Sequence, residues 1–196
     1  MNSNINRQRG FSLIELLLVL AIIAALAVAA FIVYPRVQSG RNATYENQLL
    51  SAAQAGVKAL FTTNNYDKLT ATVAVDAELF PKNMNIGTEV QNQWGGVVLV
   101  GPSATNGGGA TGPSVPDRYF SFVYPNVPTD VCIRLAGSAV SNYGTVRVDA
   151  ANGGTAGAGA VAQDLYSAPV VPLDEAVIST ACKGTDGKAT IQFVSN

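Results

Sequence analysis

Arg7-Gln8-Arg9-Gly10-Phe11-Ser12-Leu13-Ile14-Glu15 stands directly before an unbroken apolar run from Leu16 to Val33. As a helix those 18 residues extend roughly 27 Å, close to the thickness of a bilayer core. Counted from Phe11 the stretch has 23 positions, and Glu15 is its only charge. A carboxylate inside such a helix costs about 2.5–3.5 kcal/mol on insertion scales, so it requires a cation or the membrane interface. A cut between Gly10 and Phe11 would create an ammonium four residues before Glu15, on the same helical face. Between staggered helices that ammonium could instead neutralise the carboxylate of a neighbouring copy. A second reading is an ordinary secretory signal, because Ala27-Val28-Ala29 forms an A-x-A cleavage pattern. Such a signal has no use for an acid at the head of its apolar region, and here the run continues through Ala30-Phe31-Ile32-Val33. A mature chain beginning at Phe11 or at Ala30 separates the two.

Beyond the run, Pro35 is a candidate kink, and the helical pattern then resumes. Tyr45, Leu49, Ala52, Ala53, Gly56, Val57 and Leu60 fall on one broad face, opposite Asn47, Gln48, Ser51, Gln54 and Lys58. Glu46 lies inside the apolar sector, an exception without a reason at the level of sequence. One helix from about Phe11 to Phe61 is expected, apolar all round in its first half and amphipathic in its second. The second half needs a sheet to cover its stripe. The first half, outside a membrane, needs other helices.

The remainder reads as short alternating elements. A helix is expected over Val75–Phe80, stopped before Pro81, and strands over Val97–Val100 and Tyr119–Tyr124. The Gly-, Pro-, Ser- and Thr-rich segment from Gly101 to Asp117 reads as a loop. A helix with Thr129 as its cap is expected through Leu135, then a half-buried strand at Thr145–Val148 and a Gly/Ala loop from Ala150 to Ala160. Asp174–Ala181 reads as a helix, and Asp186-Gly187 as a turn before a last strand, Thr190–Val194. The fold class is α+β: a long N-terminal helical spine packed on a mainly antiparallel sheet.

The order basic leader, Gly10, Phe11, Glu15, apolar run resembles the signal of the type IV pilin family, which includes type II secretion pseudopilins. The resemblance implies that a membrane peptidase removes residues 1–10, that Phe11 is N-methylated, and that Glu15 sets subunit register during assembly. It divides the chain into a leader (1–10), a membrane or filament-core helix (11–34), the amphipathic half of that helix (35–63) and a globular head (64–196). Asn92-Gln93-Trp94-Gly95-Gly96, leading into a strand, is similar to the corresponding region of type IVb pilins. The short leader and the Phe11 start are more typical of the IVa branch. The family also carries a C-terminal disulfide loop, which here implies a bridge between Cys132 and Cys182; an exported domain favours that pairing over two free thiols. Loss of the leader, with Arg7 and Arg9, takes the formal charge from −1 to −3. Loop charge leaves orientation open, since Arg36 and Arg41 follow the span, so a cytoplasmic leader rests on the resemblance.

The chemistry absent from the sequence excludes several classes. Without histidine there is no Ser-His-Asp or Cys-His catalysis and no histidine-ligated metal. Gly107-Gly108-Gly109 lacks the Lys-Ser/Thr end of a phosphate loop, and Asp186-Gly187 does not make an EF-hand. Asp174-Glu175 reads as a solvated helix start rather than a catalytic pair. No basic run marks a nucleic-acid partner. The expectation is a non-enzymatic subunit without cofactor or metal. By resemblance it waits in the bacterial inner membrane and polymerises with itself, through a prepilin peptidase and an assembly machine, into a surface filament for adhesion, aggregation, conjugative contact or motility. A minor pilin or secretion pseudopilin is the alternative, and a membrane-anchored binding module or enzyme the remote one.

Overall fold

The computed structural model describes residues 12–103 and 118–196. The chain divides into two units, Met1–Gln38 and Ser39–Asn196. Helix α1, Leu13–Leu60, takes in the described part of the first unit and enters the second. Pro35 lies inside α1 without interrupting it, although its ring removes one backbone donor.

In the second unit, the buried residues of α1 are Ser39, Ala43, Glu46, Leu50, Ala53 and Val57. That spacing of threes and fours is one face of a helix. The face is narrower than the sequence pattern suggests, and Tyr45, Ala52 and Leu60 fall outside it, exposed. Four polar ties fix its position. The Tyr143 hydroxyl donates to Leu50 O at 2.8 Å, Gln54 donates to Asn142 O at 2.8 Å and to Ser195 Oγ at 2.7 Å, and Asn142 donates to Ser51 Oγ at 3.1 Å.

The remaining described elements are β1 (Asn85–Ile86), β2 (Glu89–Gln91), β3 (Val97–Ser103), β4 (Tyr119–Pro128), β5 (Thr145–Asp149), β6 (Ala160–Asp164) and β7 (Lys188–Ser195), with helices α2 (Ala71–Asp76), α3 (Thr129–Ala139) and α4 (Glu175–Ala181) and a single 3-10 turn at Lys82–Met84. The strands form one seven-stranded sheet in the order β1-β2-β3-β4-β7-β5-β6. Each pairing is antiparallel. The last strand of the chain is therefore central, between β4 and β5, and Phe122 faces Phe193 across that pairing. The core beneath α1 holds Phe120, Phe122, Tyr124, Tyr143, Ile191 and Phe193. Ring pairs such as Phe122–Tyr143 at 6.4 Å and Tyr143–Phe193 at 5.2 Å pack it.

Several elements depart from the sequence reading. The helix expected at Val75–Phe80 lies earlier, at Ala71–Asp76, because the Thr70 side chain caps it by accepting from Val73 N at 3.2 Å. Thr129 is the first residue of α3, not its cap; its hydroxyl donates to Gly187 O at 3.2 Å instead. Strand β5 is buried on both faces rather than half-buried. The loop between β5 and β6 covers the outer face: Arg147 donates to Gly157 O, Gly157 N donates to Gln192 Oε1 at 2.7 Å, and Gly154 N donates to Thr190 Oγ1 at 3.2 Å. Strands β1, β2 and β6 have no counterpart in the sequence pattern. Of the segment read as a loop from Gly101 to Asp117, residues 101–103 belong to β3. The rest, with Gly107-Gly108-Gly109, lies outside the described residues. Asp174 caps α4, accepting from Ala176 N and Val177 N at the helix start where the sequence places it.

Cys132 on α3 and Cys182 at the end of α4 form a disulfide, with a Cα–Cα distance of 5.7 Å. The bridge spans 50 residues and encloses β5, β6 and α4, while β7 pairs β5 from outside the loop. Chain-entropy arithmetic assigns such a loop about 4 kcal/mol. Cys132→Ser is expected to lower stability by about that amount. Protease resistance measured with and without reductant checks it: reductant should sensitise the wild-type chain and leave the variant unchanged.

Candidate assembly site

The described part of the first unit begins at Ser12, whose carbonyl accepts from Glu15 N at 3.0 Å and Leu16 N at 3.2 Å, so Glu15 occupies the first turn of α1. A carboxylate there faces the N–H end of the helix dipole, a favourable local placement. Gly10 and Phe11, the expected cleavage and methylation positions, lie outside the described residues. From Leu13 to Val37 every large apolar side chain is exposed, from 47% at Val19 to 80% at Phe31. The helix is long and apolar enough to cross a membrane. A face apolar on all sides has no stable arrangement in water and demands lipid or other helices. Ala27-Val28-Ala29, the alternative signal-peptide site, lies within the helix.

The second unit carries one site that sequence reading notices in two halves and does not join. Asn92-Gln93-Trp94-Gly95-Gly96 forms a tight turn between β2 and β3. Asn92 Oδ1 accepts from Trp94 N at 3.0 Å and Gly96 N at 2.9 Å, and Asn92 Nδ2 donates to Pro125 O at 2.7 Å. Gly95 has φ +78°, and a Cβ at Gly96 would stand 2.6 Å from Pro125 O. Both positions therefore require glycine. The turn sets Gln93 against Glu46, the exception in the apolar stripe. Gln93 turns its backbone N–H and its side-chain amide toward that carboxylate, and both favour its charged form. Glu46 is 1% exposed, and its Oε2 has no hydrogen-bond partner among the described residues. Burial pushes its carboxyl up from the usual 4.5 to about 7, against the opposing pull of the nearby Gln93 donors. Tyr124, fully buried on β4, is pushed well up by burial, and the Glu46 charge adds to that. No cluster of three metal-ligating side chains exists among the described residues.

The fold has counterparts among known proteins. The structure is similar to a type IVb pilin from Salmonella typhi, at 14% identity and a TM-score of 0.51, covering 76% of this chain and 97% of that one. It is similar to TcpA, a type IV pilin from Vibrio cholerae El Tor, at 16% identity and a TM-score of 0.52, covering 80% and 99%. The fold is that of a type IV pilin. A family model described as PilS N terminal matches residues 40–196, and one described as the prokaryotic N-terminal methylation motif matches residues 5–31. The chain belongs to the PilS family. It is also 25% identical to proteins named major structural subunit of bundle-forming pilus from Escherichia coli O111:H- and O127:H6, over 95% of this chain and 93% of each relative.

The raised Glu46 carboxyl sets a pH dependence. The folded chain holds a proton there that the unfolded chain releases near 4.5, so this contribution is complete below 4.5 and lost as pH rises through about 7. The full loss is about 3 kcal/mol, since each tenfold gain in proton affinity on folding is worth about 1.36 kcal/mol. Urea unfolding of the full chain in detergent, followed by the fluorescence of its only tryptophan, Trp94, should show stability falling across that window. Glu46→Gln should flatten the fall.

Proposed function

We propose that the chain is the structural subunit of a type IV pilus, nearer the IVb kind, and that it polymerises through its apolar helix into a bacterial surface filament. The observation that carries this reading is the unbroken exposure of large apolar side chains from Leu13 to Val37, in a chain whose second unit buries its own core. Packing those side chains against copies of themselves stabilises the assembly by an amount on the order of tens of kcal/mol, at about 1.5–3 kcal/mol per fully buried side chain. The methylation motif over residues 5–31 supports cleavage between Gly10 and Phe11 by a prepilin peptidase and N-methylation of Phe11. The precursor waits in the inner membrane, and an assembly machine transfers it to the extracellular filament. Glu15 pairs with the Phe11 ammonium of a neighbouring copy, because a charge in a low-dielectric core is costly unless paired. The role is structural rather than catalytic, in keeping with relatives named as structural subunits. Those two names favour a major over a minor subunit.

Glu15→Ala should still insert in the membrane and lose residues 1–10, because the cleavage point is intact. Its yield of sheared filaments should fall at least tenfold, since an interaction of about 1.4 kcal/mol or more is removed at each subunit joint. Mass spectrometry of the mature N-terminus and electron microscopy of sheared fibres check both halves. Normal piliation by the variant without a wild-type copy would refute the pairing role. If fibres from the wild-type strain contain this chain only as a trace, the subunit is a minor one.

A further inference from the structure

Glu46 and the turn that carries Gln93 are left over once assembly through the apolar helix is accounted for. They line a single cleft of about 400 Å³, with Tyr45, Asn83, Met84 and Gln91 among its other walls. Glu46 is buried, with an unpartnered Oε2. The groups facing it are few. Gln93 caps it from the turn, Tyr124 lies behind it on β4, and Tyr45, 45% exposed, stands beside it on α1. No ion pair reaches it among the described residues, and Lys82, next to Asn83, is held by Glu78 at 2.9 Å. An acid whose open oxygen meets no cation lacks the partner that buried charges ordinarily have.

The walls specify what that partner must be. One carboxylate with no second acid, histidine or cysteine beside it is too poor a donor set for a divalent metal. It suits a cation rich in N–H groups. The carboxylate takes a charge-assisted hydrogen bond, and the side-chain oxygens of Asn83 and Gln91 can accept the remaining donors. Tyr45 contributes an aromatic ring to the lining, a group that attracts cations, and Met84 an apolar wall for a methylene stem. We propose that the Glu46 cleft is a binding site for a primary ammonium or guanidinium group, with the exposed Gln93 side chain turning aside as the cation enters. Two sources carry this chemistry: a lysine or arginine of a second copy in a filament, which rests on the function proposed above, and a free amine in solution, which does not.

Trp94 adjoins Gln93 and is the only tryptophan, so its fluorescence reports on the cleft. The test titrates the full-length chain, dilute in detergent micelles, with n-butylammonium and n-butylguanidinium. Tetramethylammonium at equal ionic strength, which has no N–H donor, is the control. A saturable fluorescence change is expected at pH 8 with the two donors and not with the control. Affinity should fall roughly 100-fold at pH 5, where the Glu46 carboxyl is protonated. Glu46→Gln, a neutral isostere, should abolish the change, and Gln93→Ala should strengthen binding several-fold by opening the cleft. No saturable change in the wild type at pH 8, an equal response to tetramethylammonium, or an unaltered titration in Glu46→Gln would each overturn the proposal. The same titration on sheared filaments distinguishes the sources. A silent Trp94 there, with Glu46→Gln filaments less resistant to dissociation at pH 8, assigns the cation to a neighbouring copy. A response equal to that in micelles assigns it to a soluble amine. Failure of the chain to form filaments counts against the proposed function and leaves the micelle titration decisive for the site.

Discussion

The governing constraint is the lack of cover over the first half of α1. An α-helix presents side chains around its whole circumference, so a segment apolar on every face needs apolar neighbours all round. From Leu13 to Val37 those neighbours are absent among the described residues of the chain. From Ser39 onward the same helix narrows its apolar residues to one stripe, and that stripe is covered within the unit. The helix thus changes from a surface that needs lipid or copies of itself to one satisfied by its own head. A pilin depends on this change, because a subunit must be stable as a head and incomplete as a rod.

The head closes its core by bringing the end of the chain to the middle. Strand β7 lies between β4 and β5, so residues 188–195 complete a sheet by pairing with residues from 41 (Asp149 with Thr190) to 75 (Phe120 with Ser195) positions earlier. Such long-range pairing carries a large loop-closure cost. The Cys132–Cys182 bridge reduces that cost by tying α3 to α4 around β5 and β6. The loop after β5 then seals the outer face, with the Arg147 head and the Gln192 side chain bonded into its backbone. A strand that would be half-exposed in an open sheet is buried on both sides here.

Glu46 departs from this economy. The stripe of α1 would pack with an apolar residue in its place, yet the fold retains an acid and dedicates a shaped turn to it. The turn is specified in detail: Asn92 ties its backbone and anchors it to Pro125, while Gly95 and Gly96 permit its curvature and close approach. A buried acid beside one amide side chain is costly when ionised, which raises its carboxyl toward neutrality.

Local pattern was enough for the long helix, its change of character near Pro35, the helix that starts at Asp174 and the last strand, because periodicity is a property of neighbouring residues. It misplaced α2, where the Thr70 cap outweighed the apolar run beyond it, and missed β1, β2 and β6, which are short and owe their existence to partners elsewhere in the chain. It registered Glu46 as an anomaly and Asn92–Gly96 as a motif, but could not connect them, since 47 residues separate Glu46 from Gln93. The sequence by itself determined that one end of the molecule must seek a non-aqueous partner, because hydrophobicity is additive along a helix. Only the tertiary structure decided which strand is central, which faces are covered and which carboxylate is stranded, because those depend on what distant segments bring to the same point in space.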